Sequence, residues 1–378
     1  MAFAGFVRGL LRALLVLVLG VGAGEPSAAP AHEPPPLATS APAADSGSAR
    51  VDSSSAPAAA ANVPRMPERD RVRLAEAFRL AQAIQDRVWP EWSSAPFAVL
   101  LVTPETEFLV RHPAPGSDFS AGEYDSLLRS RVYWRRRVLP VSFQATFPAV
   151  GGISTIVIGE AESVHPAENS TRWVLTVMHE HFHQWQETRS GYQAAVDSLK
   201  LARGDQTGMW MLNFPFPYSD PRIAARFEAL CRMRARALRA RGAHHFAAHF
   251  DSCAAARRQF DTSLAPDDAR YLEFQLWKEG VARYTEYEVA RTAAAHYFPS
   301  AGYRGLNDYT TFAAEADSAL NQIIGEQENI ELANWKRVAV YSSGAADALL
   351  LDEKRPGWKA NYTRERFSLG GLFARPVR

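Results

Sequence analysis

The spacing of apolar positions changes along this chain. Strand-like spacing dominates the first part of the folded region and helical spacing the rest. Over residues 67–88, Leu74, Ala77, Phe78, Ala81, Ile84 and Val88 recur every three or four positions, the stripe of a helix that buries one face. Pro67 suits its first turn, where no amide proton is needed. Short runs rich in β-branched and aromatic residues follow at 97–102, 108–110, 138–147 and 153–158, and predict strands of one sheet. Helical spacing then returns. Trp173, Val174, Val177, Met178, Phe182 and Trp185 make a strongly apolar helix that Asn169 or Ser170 can cap. An insert over about 191–265 carries the loop Asn213-Phe214-Pro215-Phe216-Pro217-Tyr218 and then two helices. Pro266 fits the first turn of the next helix, which bears Glu279, and the chain beyond it, through Tyr341 and Leu351, reads as helical. Strands early and helices late predict an α+β fold, a small mixed β-sheet followed by a mainly helical domain, with a cleft between them. No internal repeat interrupts this order.

The first residues follow a different logic. Arg8 and Arg12 precede an unbroken apolar run from Leu14 to Val21, which ends in the small residues Gly22, Ala23 and Gly24. This is the form of an export signal over residues 1–24, or of a membrane anchor if it stays uncleaved. The run is short for a membrane span, and no cysteine follows it to carry a lipid. Residues 25–66 are rich in Ala, Pro and Ser and poor in aromatic residues, so they cannot bury enough apolar surface to offset their ordering entropy. They read as a disordered linker. The folded part is then 67–378, about 310 residues, enough for a large core in one elaborate domain or two joined lobes. The expected location is the periplasm or the extracellular space.

Charge changes the picture by exclusion. Basic and acidic residues number 42 and 41, so the overall field gives no reason to invoke nucleic acid. Arg222, Arg226, Arg232, Arg234, Arg236, Arg239 and Arg241 cluster in the insert and read as a solvated helix face, or as a docking patch for an anionic surface. The only two cysteines, Cys231 and Cys253, fall in the same region. In an exported protein they can clip two helices with a disulfide or remain separate buried thiols.

The apolar helix carries the chemistry. It contains His179-Glu180-His181-Phe182-His183, the H-E-x-x-H pattern. Positions i and i+4 stand one above the other on a helix, so His179 and His183 can reach one metal ion while Glu180 supplies a base for water. A wet surface helix rich in His and Glu would match the pattern too. The apolar neighbours argue against that, because unpaired imidazoles and carboxylates are costly to bury. His181 falls on another face and is not assigned to the metal.

A catalytic zinc usually takes three protein ligands and keeps one position open. The third candidate is Glu279, in Leu276-Trp277-Lys278-Glu279-Gly280-Val281-Ala282-Arg283-Tyr284-Thr285-Glu286-Tyr287. Gly280 and Ala282 are small enough to let this helix pack tightly against the motif helix. Glu286, two turns beyond Glu279, can accept a hydrogen bond from a ligand imidazole.

H-E-x-x-H-Q-W followed by L-W-x-E-G-x-A-x-Y-x-E-Y resembles the gluzincin metallopeptidases of the peptidase MA-like class, in particular the aminopeptidase N family. The resemblance implies a thermolysin-like catalytic domain and one Zn2+ ion held by His179, His183 and Glu279, with Glu180 as general base. It also implies an oxyanion donor, since Val340-Tyr341-Ser342-Ser343-Gly344-Ala345 is similar to the family's Y-x-K-G-A segment, with Tyr341 as the tyrosine. Tyr284 and Tyr287 compete for that role. An edge strand beside the active helix binds the peptide in this family, and the resemblance places it at 153–158, with Ile153, Ser154, Thr155 and Ile156. Two departures stand out. The spacer between His183 and Glu279 is far longer than the family's. The G-x-M-E-N segment that reads a substrate's free amino terminus is absent, so aminopeptidase specificity does not follow.

The expected function is therefore an exported zinc-dependent metallopeptidase acting on a peptide or protein, with water activated by Glu180. Membrane contact follows only if the amino-terminal segment stays in place. The same apparatus would serve a zinc-dependent hydrolase of a non-peptide amide, ester or epoxide. A secreted binding module with a structural zinc is the non-catalytic alternative.

Overall fold

The stripe that follows Pro67 becomes helix α1, Glu68–Val88, in the computed structural model, which describes residues 63–164 and 169–374. The export segment and all but the last residues of the linker lie outside the described residues. Leu74, Ala77, Phe78, Ala81, Ile84 and Val88 are all buried on one side of α1. Six strands follow: β1 (Val99–Val102), β2 (Thr106–Val110), β3 (Ser120–Asp125), β4 (Ser130–Arg136), β5 (Gln144–Val150) and β6 (Ile153–Gly159). Their order in the sheet is β3-β4-β2-β1-β6-β5. The β1–β6 pair is parallel and the other pairs are antiparallel, which makes the sheet mixed.

Three strand expectations change. First, β3 and β4 have no apolar alternation to reveal them, because most of their positions are exposed or half-buried. Second, the run expected as a strand from 138 begins only at Gln144. Buried Glu107 accepts from the amides of Val138 at 2.8 Å and Leu139 at 2.6 Å, and so diverts that backbone from strand pairing. Third, the strand holding Ile153, Ser154, Thr155 and Ile156 is not an edge. β6 is paired on both sides, with β1 and with β5, and the sheet ends on β5.

Beyond the sheet the chain is helical. The principal helices are α2 (Ser170–Thr188), α3 (Pro221–Arg239), α4 (Phe246–Asp261), α5 (Pro266–Gln275), α6 (Val281–His296), α7 (Phe312–Asn329) and α8 (Ala339–Lys354). One turn of π-helix, Leu276–Gly280, joins α5 to α6. Asn169 caps α2 by accepting from the Arg172 amide at 2.8 Å, while Ser170 bonds to Arg73 and Asp308 instead. The architecture is α+β, and one face of the sheet packs with the helices into the main core. A smaller cluster on the sheet's other face includes Leu100, Val102, Leu109, Phe143 and Val157.

The insert contributes scaffold. Phe227, Leu230 and Cys231 of α3 and Phe250 and Cys253 of α4 join the main core. Arg234 is buried rather than solvated: its guanidinium bonds both oxygens of Asp347 on α8, at 2.7 and 3.1 Å. Arg257 of α4 bonds Asp347 too, at 3.1 Å. Cys231 and Cys253 are buried free thiols. Among the described residues no helix is long and apolar enough to cross a membrane.

Candidate metal centre

Helix α2 is buried along nearly its whole length, and several of its polar side chains have fixed partners. Gln184 donates to the carbonyls of Ala98 and Ser154, which ties the helix to β6 and to the chain leading into β1. His181 stacks on Phe97, with ring centroids 3.8 Å apart, and on Trp92. Burial pushes it down to about 4, so this imidazole is neutral and belongs to the core.

His179 and His183 turn to the opposite task. Their Nε2 atoms are 3.1 Å apart, and Glu279 Oε2 lies 3.4 Å from His183 Nε2 and 3.9 Å from His179 Nε2. One ligand atom from each of the three lies within 4.8 Å of the others. Two ligands about 2.0 Å from one tetrahedral ion stand roughly 3.3 Å apart, which is the scale of this triangle. The structure therefore brings together the two segments that bear H-E-x-x-H and E-G.

The hydrogen bonds behind the imidazoles set their tautomers. Glu286 Oε1 is 2.7 Å from His179 Nδ1, and a carboxylate paired with Arg283 is an acceptor, so the ring proton belongs on Nδ1. Gln186 Oε1 is 2.7 Å from His183 Nδ1 and imposes the same tautomer there. Both Nε2 lone pairs then face each other and the Glu279 carboxylate, and among the described residues no donor stands between them. Three converging electron-pair donors repel unless a cation stands among them. Without a metal a proton has to serve. Burial alone would lower His179, but the nearby carboxylates of Glu279 and Glu286, the latter hydrogen-bonded to it, outweigh burial and push it up to about 10. Burial would likewise raise Glu279, yet His183, His179 and Arg337 hold it well below the usual carboxylate range. The donor set of two imidazoles and one carboxylate fits zinc.

Glu279 occupies the π turn rather than a regular helix. Single π turns inside longer helices recur at functional sites. The tight approach expected of Gly280 is present, but its partner is α8 instead of the motif helix. A β-carbon on Gly280 would overlap Gly344, and one on Gly344 would meet the Leu276 carbonyl oxygen. This contact brings Tyr341, one turn before Gly344, to the site. The Tyr341 ring lies 6.3 Å from the His179 ring, nearly parallel to it. Tyr284 is elsewhere, bonded to Asp352 at 2.6 Å.

Four residues escaped the sequence reading. Thr146 on β5 places its hydroxyl 2.8 Å from Glu180 Oε2 and 2.9 Å from the Glu180 carbonyl, and its single proton serves one of them at a time. Arg337 donates to Tyr341 Oη at 3.0 Å and stands 3.8 Å from Glu279 Oε1. Gln186 bonds the hydroxyl of Tyr362 at 2.6 Å. Helical spacing offered a signal for two of them, since Gln186 is at i+3 from His183 and Arg337 at i−4 from Tyr341. Thr146 and Tyr362 come from separate elements and left none.

No family model, curated protein or solved structure matches this chain.

Proposed function

We propose that this protein is a zinc-dependent hydrolase of the gluzincin type that cleaves peptide bonds. One observation carries the reading. His179 Nε2, His183 Nε2 and Glu279 Oε2 converge from two segments remote in sequence, with both imidazole tautomers set so that bare nitrogens face inward. Zinc bound there would supply Lewis acidity, lowering the pKa of water and polarising a carbonyl.

The chain's own groups supply the rest. Glu180 is adjacent to the first ligand, and Thr146 holds its carboxylate from the sheet side. It is the group that would take a proton from the attacking water and return it to the leaving nitrogen. Tyr341 would donate to the oxygen that gains charge in the transition state. The thermolysin-like assignment of the domain belongs to this proposal and rests on the motif resemblance. A purely structural zinc would have no use for Glu180 or Tyr341 beside the donor set.

A peptide is favoured over a small amide, ester or epoxide by the sheet. β5 is its last strand, and Thr146 within β5 touches Glu180. An extended substrate laid along β5 by backbone pairing would pass the catalytic carboxylate. The substrate strand of this proposal is thus β5, not the strand of Ile153 to Ile156.

The test is zinc content by atomic emission together with cleavage of labelled casein, for the native protein and Glu180→Gln. Zinc near one per chain in both, with cleavage lost only in the variant, is the expected result. A native protein that neither contains nor takes up zinc would end the proposal. Full activity in Glu180→Gln would remove Glu180 as base.

A further inference from the structure

Each candidate ligand imidazole is aimed by a group anchored on the opposite segment of the site. His179 is aimed by Glu286 of α6, which Arg283 holds by an ion pair. His183 is aimed by Gln186, and the orientation of that amide is forced. Gln186 Nε2 faces the carbonyls of Lys278 at 3.2 Å and Trp277 at 3.4 Å, in the π turn that carries Glu279. Carbonyls only accept, so the amide must turn its NH2 group to them and its oxygen to His183.

Tyr362 closes the circuit. It sits in a short carboxyl-terminal helix, Lys359–Tyr362, and is wholly buried. Its oxygen accepts from Gln186 Nε2 at 2.6 Å, and its proton goes to the Trp277 carbonyl at 2.7 Å. Trp277 Nε1 donates back to the Tyr362 carbonyl at 3.1 Å, and the two rings stack with centroids 4.4 Å apart and planes 6° from parallel. A phenylalanine would keep the stack. Only a phenol can accept from the amide and donate to the carbonyl at once.

We infer that Gln186 and Tyr362 are the positioning residues of the metal centre. Together they lock His183, in its metal-binding tautomer, to the π turn that presents Glu279. The inference rests on the zinc reading above and deepens it. The H-E-x-x-H helix alone does not orient its own candidate ligands, and the short helix Lys359–Tyr362 is part of the site without supplying a donor atom. Tyr362 acts through Gln186, its hydroxyl bonded to that amide and to the Trp277 carbonyl rather than to any of the three candidate ligands.

The experiment measures zinc affinity by competition with a chromogenic chelator, and the visible spectrum of the cobalt-substituted protein, for four forms: native, Gln186→Leu, Tyr362→Phe and the double variant. Loss of an aiming partner typically weakens metal binding about 10- to 100-fold, and Gln186→Leu is expected in that range with an altered cobalt spectrum. Tyr362→Phe is expected to weaken binding several-fold. The double variant should bind close to Gln186→Leu, since the phenol reaches His183 only through Gln186. A native protein without zinc affinity would defeat both this inference and the zinc reading. Native zinc binding with Gln186→Leu unchanged would overturn this inference alone. Losses that add in the double variant would mean that Tyr362 acts apart from Gln186 and would overturn its assigned role. If Gln186→Leu does not fold, Tyr362→Phe decides: unchanged affinity and spectrum overturn the inference.

Discussion

Arg337 donates from Nη2 to the hydroxyl of Tyr341 across 3.0 Å. A guanidinium has no lone pair to take anything in return, so the phenolic proton must point away from it. Burial raises Tyr341 well above the ordinary tyrosine range, the opposing pull of Arg337 notwithstanding, and the group stays a donor at working pH. Arg337 thereby leaves Tyr341 one productive orientation, and the ring lies beside His179. Under the proposed hydrolysis, Tyr341→Phe should lower kcat roughly 100-fold, the scale of one lost oxyanion donor, with KM little changed. Arg337→Gln should lower kcat less. Steady-state kinetics on a casein-derived peptide, alongside zinc content, reads the difference. A fall confined to KM would make Tyr341 a binding residue instead.

Gly280 and Gly344 let the π turn and α8 touch backbone to backbone. Gly344→Ala puts a methyl carbon against the Leu276 carbonyl and the Gly280 Cα, where neither side is a flexible side-chain end. Overpacking of this kind costs about 1–3 kcal/mol. The loss should show as a lower urea midpoint, with weaker zinc affinity because Glu279 moves with the turn. An unchanged midpoint would mean that the two helices part freely.

The candidate ligand set was legible in the sequence because each part is local. H-E-x-x-H is one turn of helix, and E-G followed by Glu286 is two more. The cap at Asn169 and the proline at the start of α5 were legible for the same reason. Long-range pairing was not. Nothing in residues 138–147 announces that Glu107 takes two of their amides, and β6 reads the same whether it lies inside a sheet or at its edge. β3 and β4 stay hidden because strand patterning needs a buried face, and theirs is largely exposed. Arg234 looked like one more surface arginine until Asp347, more than a hundred positions away, was found beneath it.

Asp347 holds the buried guanidiniums of Arg234 and Arg257 together. Their attraction, set against the burial that opposes it, keeps its carboxyl below the ordinary range. Asp347→Ala would strand Arg234 in the core, while Arg257 keeps Glu273 and Asp261, and breaking a buried pair from one side costs about 3–5 kcal/mol. Thermal and urea unfolding should both show it, with α3 and α4 losing amide protection first in hydrogen exchange. Zinc affinity measured well below the new midpoint should change little, because among the described residues the cluster's ion pairs run to none of the candidate ligands. Loss of zinc without loss of stability would contradict that separation.

His181 gives the fold a pH dependence of its own. Its folded value is about 4 against an ordinary 6.5, because burial, with a smaller push from Arg111, disfavours the charged ring against the opposing hydrogen bond it donates to the Gln184 oxygen. Between these two values the unfolded chain binds a proton that the folded chain refuses. Stability from this group is therefore full above pH 6.5, falls as the pH drops through 6.5 to 4, and changes no further below that. The total is on the order of 3 kcal/mol for a shift of this size. The metal-free protein isolates the effect from zinc loss, so urea midpoints should be followed from pH 7 to pH 4 after chelation. His181→Phe keeps the stack against Phe97 and removes the titration. Its midpoint starts lower at pH 7, since Gln184 loses its partner, but should fall less steeply with acid than that of the native chain. Parallel slopes for the two proteins would place the acid sensitivity elsewhere.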